Sequence, residues 1–261
     1  MKTRALLIVL CIGGCAAFAQ GPRGHMGGPG FGPMAGMEHG KVVTGAPFTA
    51  TLQETFTQRL ADGNTITHTT TSQFARDSQG RTWLQTTSNR LGPWTSTSGT
   101  PKTLTFITDP VAGAAYTLDQ TAMTATQRKL PAARTASEGA GGRRAEFAAR
   151  SGAARSDAVT ATLGTQVLAP LPSALEGTQI TRTIEANKIG NTQPIVTTTT
   201  RWYSPDLKMV VQQTSSDPRN GTRTFQVTNI QLAEPSSSLF QVPSGYSLTS
   251  GPTRPAMRLD Q

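Results

Sequence analysis

Phe48–Leu60 reads FTATLQETFTQRL. Its even positions carry Phe48, Ala50, Leu52, Glu54, Phe56, Gln58 and Leu60, while the odd ones are nearly all Thr, Gln or Arg. A period of two with one apolar side is the pattern of a strand with one covered and one wet face. Asp62-Gly63-Asn64 follows as a turn. A three-residue loop there sets Leu60 opposite Ile66, Leu52 opposite Phe74, Gln58 opposite His68 and Glu54 opposite Ser72.

Outward from this hairpin the pattern repeats. Asp77-Ser78-Gln79-Gly80 makes a four-residue turn that sets Phe74 against Trp83, so three consecutive strands form a meander. Leu104 and Phe106 run into Asp109–Gly113, and a five-residue loop places Phe106 opposite Tyr116 and Leu104 opposite Leu118. Ser204-Pro205-Asp206-Leu207 turns the chain so that Trp202 faces Met209. Asp217–Gly221 turns it again, setting Val211 opposite Val227 and Gln213 opposite Phe225. The count comes to about nine or ten strands and no long helix. The predicted class is mainly β: an antiparallel meander forming one large curved sheet or an open half-barrel.

Composition points the same way. The chain has 261 residues, 36% of them hydrophobic, enough for the core of one large domain. Charged residues are only 15%, and about forty threonines stand in their place, which favours pleated surface over helix. A coiled coil, a helical bundle and a polytopic membrane protein are excluded, because the one continuously apolar run lies at the very start.

That run reads as an export signal over residues 1–19. Lys2 and Arg4 precede an apolar stretch, Ala5–Gly14, too short to span a bilayer, and Ala17-Phe18-Ala19 supplies the small-x-small cleavage pattern. Ile12-Gly13-Gly14-Cys15 is a rival lipobox, which would anchor the protein by a lipid on Cys15. Both cysteines, Cys11 and Cys15, lie in this leader, so cleavage after Ala19 leaves no thiol and no disulfide. The expected address is periplasmic or extracellular.

Residues 20–40 are rich in Gly and Pro, with His25, Met26, Met34, Met37 and His39 among them. Soft ligands of this kind suit copper, but no spacing imposes a geometry, and the segment reads as a disordered linker. A second low-complexity stretch, about residues 127–158, is rich in Ala, Gly and Arg and interrupts a single β-rich domain spanning 41–250. It holds Arg128, Lys129, Arg134, Arg143, Arg144, Arg150 and Arg155 against Glu138, Glu146 and Asp157. Their excess of four is more than half of the surplus of about seven that remains when Lys2 and Arg4 of the leader are taken from the net charge of +9. With Phe147 as its one aromatic, the insertion lacks a stacking platform, so nucleic acid is not an expected partner; loose attraction to an anionic envelope surface is favoured over it, and a plain solvated insertion over both. Residues 251–261 read as a disordered tail.

Within Gly177–Leu248 the motifs GTQITRTIEANKIGN, RWYSPDLKMVV, DPRNGTRTFQVTNI and EPSSSLFQVPSGY follow in order. This succession resembles a group of uncharacterised exported proteins common in Acidobacteria, and ITDPVAGAAYTLD (Ile107–Asp119) resembles that group's earlier hairpin. More remotely, the meander and the ending SLFQVPSGY are similar to the periplasmic carriers of outer-membrane lipoproteins. That resemblance implies a half-barrel sheltering acyl chains, although the chain shows no clear lid helices.

Chemistry finds little purchase. His68 is the one histidine in the folded part, so neither a His-based relay nor a multi-His metal site assembles. Glu54 sits on the apolar side of its strand, with Arg182 a candidate for neutralising it. Asp109, Asp206 and Asp217 read as turn caps. The expectation is a non-catalytic protein with no cofactor and no metal. Its candidate ligand-binding residues are Phe56, Phe74, Trp83, Phe106, Tyr116, Trp202, Met209 and Phe225, gathered on one face to accept an apolar ligand or a lipid-modified partner. The alternative is a structural envelope protein whose sheet is closed by its own segments, including 159–176.

Overall fold

The computed structural model describes residues 42–88, 90–91, 94–95, 101–130 and 158–251. The leader, the Gly/Pro/Met-rich linker, all but the ends of the basic stretch and the C-terminal tail lie outside these residues. The strands are β1 (Phe48–Arg59), β2 (Thr65–Arg76), β3 (Thr82–Ser88), β4 (Arg90–Leu91), β5 (Trp94–Thr95), β6 (Lys102–Asp109), β7 (Ala114–Asp119) and β8 (Thr124–Lys129). They continue as β9 (Ala158–Gln166), β10 (Leu175–Ile184), β11 (Ile195–Ser204), β12 (Met209–Asp217), β13 (Gly221–Gln231) and β14 (Ser247–Ser250). A 3-10 turn, Ser237–Phe240, precedes β14. Twelve strands form one sheet in the order β14-β8-β7-β6-β3-β2-β1-β13-β12-β11-β10-β9, and β4 pairs with β5 in a separate ribbon.

The sheet is thus wider than the nine or ten strands read from the sequence. It consists of two meanders, one running outward from β1 to β8 and one inward from β9 to β13, joined where β1 pairs with β13. It is antiparallel except at β14, which lies parallel to β8, and it does not close into a barrel. A sheet this wide curls. Side chains of β1, β2, β3, β10, β12 and β13 join in one buried cluster on the face called the front below.

Turn chemistry sets the register, and it corrects several expected pairings. In the first hairpin Leu60 closes on Asn64 and Gly63 is the third loop residue, at φ +87°. Leu52 therefore pairs with Ser72 and Phe56 with His68, two residues from the expected partners but on the same face. In the second, Asp77 pairs with Arg81 and Gly80 ends a three-residue loop at φ +83°. Asp77 thus belongs to the ladder rather than the turn. Phe74 meets Leu84, and Trp83 meets Ala75. The same one-residue difference recurs at Asp109, which pairs with Ala114, so Tyr116 lies opposite Ile107 and Thr117 opposite Phe106. A one-residue slip reverses every side chain of a strand, and this places Trp83 and Tyr116 on the opposite face from Phe74 and Phe106.

Farther along, Ser204 rather than Trp202 pairs with Met209, because Lys208, at φ +50°, must be the last loop residue. Register shifts at Trp202/Tyr203 and at the neighbouring Gly177/Thr178 mark bulges that bend the sheet there. The last hairpin has the expected register, with Gln213 opposite Phe225.

The capping roles of Asp109 and Asp217 hold. Asp109 Oδ1 accepts the amides of Val111 and Ala112 at 2.9 and 2.8 Å. Asp217 accepts the amide of Arg219 at 2.9 Å and two bonds from its guanidinium at 3.0 and 2.8 Å. Hydrogen bonding from Arg219, ahead of the opposing effect of burial, holds the Asp217 carboxyl below the usual carboxylate range. Since its folded pKa lies below the unfolded one, the stabilisation is complete above the unfolded value of ~4 and lost as pH falls through the folded value. Asp217→Asn is expected to cost about 1 kcal/mol at neutral pH. It should also flatten the dependence of the urea midpoint on pH below 5, which titration of the midpoint from pH 6 to 2 would check.

Two cores flank the sheet. On the back, Ala75, Ile107, Leu118 and Ala125 are covered by Phe240, with Leu239, Val242 and Tyr246 packed alongside. Here SSSLFQVPSGY crosses behind the first meander before β14 joins its edge. On the front, Phe48, Ala50, Leu52, Phe74, Leu84, Met209, Val211, Phe225 and Val227 are buried under Leu171, Leu175 and Leu207, with Leu168 partly buried against them. The segment carrying Leu168 and Leu171 is tied down by Ser173, whose amide and hydroxyl donate to Asp206 at 2.9 and 2.7 Å. Asp206 is thus a clamp on this plug, while Ser204 Oγ accepts the Leu207 amide in the turn at 3.1 Å.

Candidate functional site

The front face has two levels. Its lower level is buried and filled by the plug. Its upper level continues along the same strands past Leu52 and Val227, and there the side chains are only half buried: Glu54 and Phe56 on β1, Ile66 and His68 on β2, Arg223 on β13. On the other flank Leu104 and Phe106 of β6 are also half buried. Register carries the face outward through Gln213 and Ser215 on β12 to Arg201 and Thr199 on β11, then to Thr178 and Ile180 on β10.

Polar groups on this level are arranged around the apolar ones. Glu54 Oε1 lies 3.6 Å from Arg223 Nη1, so Arg223, not Arg182, is the cation beside it. The Arg223 guanidinium also stands over the Phe56 ring, 5.0 Å from its centroid, a cation–π arrangement. His68 is half buried, its Nε2 3.0 Å from Thr70 Oγ1, and Glu54 and His68 make no pair with each other. Thr199 and Ser215 hydroxyls lie 3.1 Å apart. Three buried polar atoms lack a hydrogen-bond partner among the described residues: Thr86 Oγ1, Arg201 Nε and Gln213 Nε2. Each sits on a strand position that register assigns to the front.

The eight candidate ligand-binding residues therefore separate into three groups. Phe56 is half buried on the upper front, and Phe106, also half buried, packs against the front core. Phe74, Met209 and Phe225 are buried beneath, in the front core, with Trp202 partly buried against it. A β-carbon on Gly177 would come within 2.6 Å of Trp202 Cζ3, so the glycine makes room for that ring. Trp83 and Tyr116 belong to the back core under Phe240. Glu54, Arg201, Gln213 and Arg223, the polar part of the upper level, were not among the eight. Their signal was present in Glu54 and Gln213, polar residues interrupting an apolar face.

Among the described residues no group of three or more His, Cys, Asp and Glu side chains is placed to hold a metal ion. No described helix is long and apolar enough to cross a membrane.

No family model and no curated protein matches the chain. Solved structures do. An uncharacterised conserved protein from Thermus thermophilus is similar at a TM-score of 0.40 and 6% identity, over 79% of this chain and 91% of that one. A LolA superfamily protein from Nitrosomonas europaea is similar at 0.30 and 9% identity, over 75% and 90%. A putative outer membrane lipoprotein-sorting protein domain from Vibrio parahaemolyticus is similar at 0.27 and 6% identity, over 75% and 89%.

Proposed function

We propose that this is a non-catalytic exported envelope protein whose front sheet face binds an apolar ligand, such as an acyl chain or a lipid-modified partner. One observation carries the reading. The front face presents Phe56, Ile66 and Ile180 on its upper level and Leu104 on its β6 flank only half buried, and no layer of helices covers them among the described residues. Half-buried apolar surface on one sheet face favours an occupant that removes it from water. The signal-like leader supports export.

A second reading, a structural envelope protein with a self-filled core, is favoured by the plug. Leu168, Leu171, Leu175 and Leu207 already occupy the lower level, which leaves less face for a ligand than the sequence pattern suggests.

The two part experimentally. The processed protein, purified from a bacterial host, is expected to retain acyl species detectable by mass spectrometry. After delipidation it should bind an environment-sensitive dye that fatty acids displace. Bare protein that neither retains lipid nor binds dye would favour the self-filled structural reading.

A further inference from the structure

Two donors on the upper front face, Arg201 Nε and Gln213 Nε2, have no acceptor. Arg201 and Gln213 lie directly opposite each other on β11 and β12, and Gln213 lies opposite Phe225 on β13. Gln213 is 3% exposed, and both Gln213 Nε2 and Arg201 Nε are buried with no partner. A buried donor left unpaired is costly and rare in native structures. Two adjacent ones on a face with half-buried apolar neighbours mark a place where an acceptor belongs. Burial first, and the positive charge of Arg182 second, hold the Arg201 guanidinium below its ordinary pKa. No described carboxylate relieves this, since Glu54 is engaged with Arg223.

We propose that Arg201 Nε and Gln213 Nε2 anchor the anionic head, a carboxylate or phosphate, of an amphiphile whose acyl chain lies along the apolar side chains of the front face. The inference rests on the apolar-ligand reading and adds head-group recognition to it. Two neighbouring N–H donors, one of them charged, suit the two oxygens of an oxyanion, and such charge-assisted bonds strengthen away from water. Arg182 adds positive potential without needing contact. The Thr199 and Ser215 hydroxyls, one register step along, extend the polar patch.

Dodecanoate, dodecyl phosphate and dodecanol, competed against a bound dye, test this on the full processed chain and on Arg201→Met and Gln213→Leu. Wild type is expected to bind one or both anionic chains about tenfold tighter than the alcohol. Which one it prefers distinguishes carboxylate from phosphate. Both variants should lose that preference while keeping the affinity for dodecanol. Equal affinities in wild type, or a preference that survives both substitutions, would overturn the anchor. Inorganic phosphate binding as tightly as dodecyl phosphate would overturn the amphiphile. Failure of every chain to bind, dodecanol included, would instead overturn the apolar-ligand reading beneath it. In the ligand-free protein the Arg201→Met midpoint should be unchanged or higher, because a half-buried guanidinium with an unpaired Nε is removed. A fall of several degrees would assign Arg201 a structural role and overturn the proposal.

Discussion

Phe225→Asp is expected to lower stability by about 4 kcal/mol, because it removes a packed ring and buries a carboxylate beside Glu54, a cost that the one amide donor opposite it, Gln213 Nε2, offsets only in part. Phe225 is 1% exposed in the front core. Its cross-strand neighbours are Gln213 on one side and Glu54 on the other. An aspartate would lose the packing of the ring and face a second carboxylate as well. The adjacent Gln226 is exposed on the other side of the same strand, so Gln226→Asp should change stability by less than about 0.5 kcal/mol. Urea unfolding of both variants measures the difference. Equal midpoints would show that the front face is not the one the core is built on.

That Phe225 points inward was legible from sequence, and so was its partner Gln213, because the Asp217–Gly221 turn and the apolar alternation agree on one register. Elsewhere the alternation was sound and the loop count was not. The residue that ends five of the hairpin loops has positive φ, Gly63, Gly80, Gly113, Met123 and Lys208, while in the last hairpin it is Gly221, the first residue of β13. A left-handed residue closes hairpin loops of three residues and follows the first turn of longer ones. Counting back from Gly80 or Gly113 puts Asp77 and Asp109 in the ladder, which is where they are found. Counting forward from the aspartates instead adds one residue to each loop and reverses Trp83 and Tyr116. Met123 and Lys208 offer no such cue, since nothing about their side chains announces a left-handed backbone.

The candidate site was harder to read for a different reason. Periodicity says which way a strand residue points but not what lies over it. That Leu168 and Leu171 descend on the front, and that Leu239, Phe240 and Val242 cover the back, depends on where loops travel across a twelve-stranded sheet. The half-buried upper level is what remains after both coverings are in place.

Replacing Arg76 tests how the plug is held. Arg76 is 2% exposed at the end of β2. Its Nε and Nη2 donate to Ala46 O at 3.0 and 2.9 Å, and Nη2 also donates to Leu207 O at 2.6 Å. Its guanidinium lies 4.9 Å from the Phe48 ring centroid. Burial pushes its pKa down to about 10, partly opposed by Tyr203, so the charge is kept at neutral pH. One side chain thereby joins β2, the segment entering β1, and the β11–β12 turn. Arg76→Met keeps much of the volume but leaves two carbonyls without these donors, at an expected cost of about 3 kcal/mol. The turn that presents Leu207 O also presents Asp206, which holds Ser173 and with it the plug. Arg76→Met should therefore bind an environment-sensitive dye more strongly than wild type well below its own melting midpoint, as the front core opens before the sheet unfolds. A lowered midpoint without added dye binding would mean that Arg76 supports the sheet but not the plug. An unchanged midpoint would mean that its carbonyl bonds contribute nothing net.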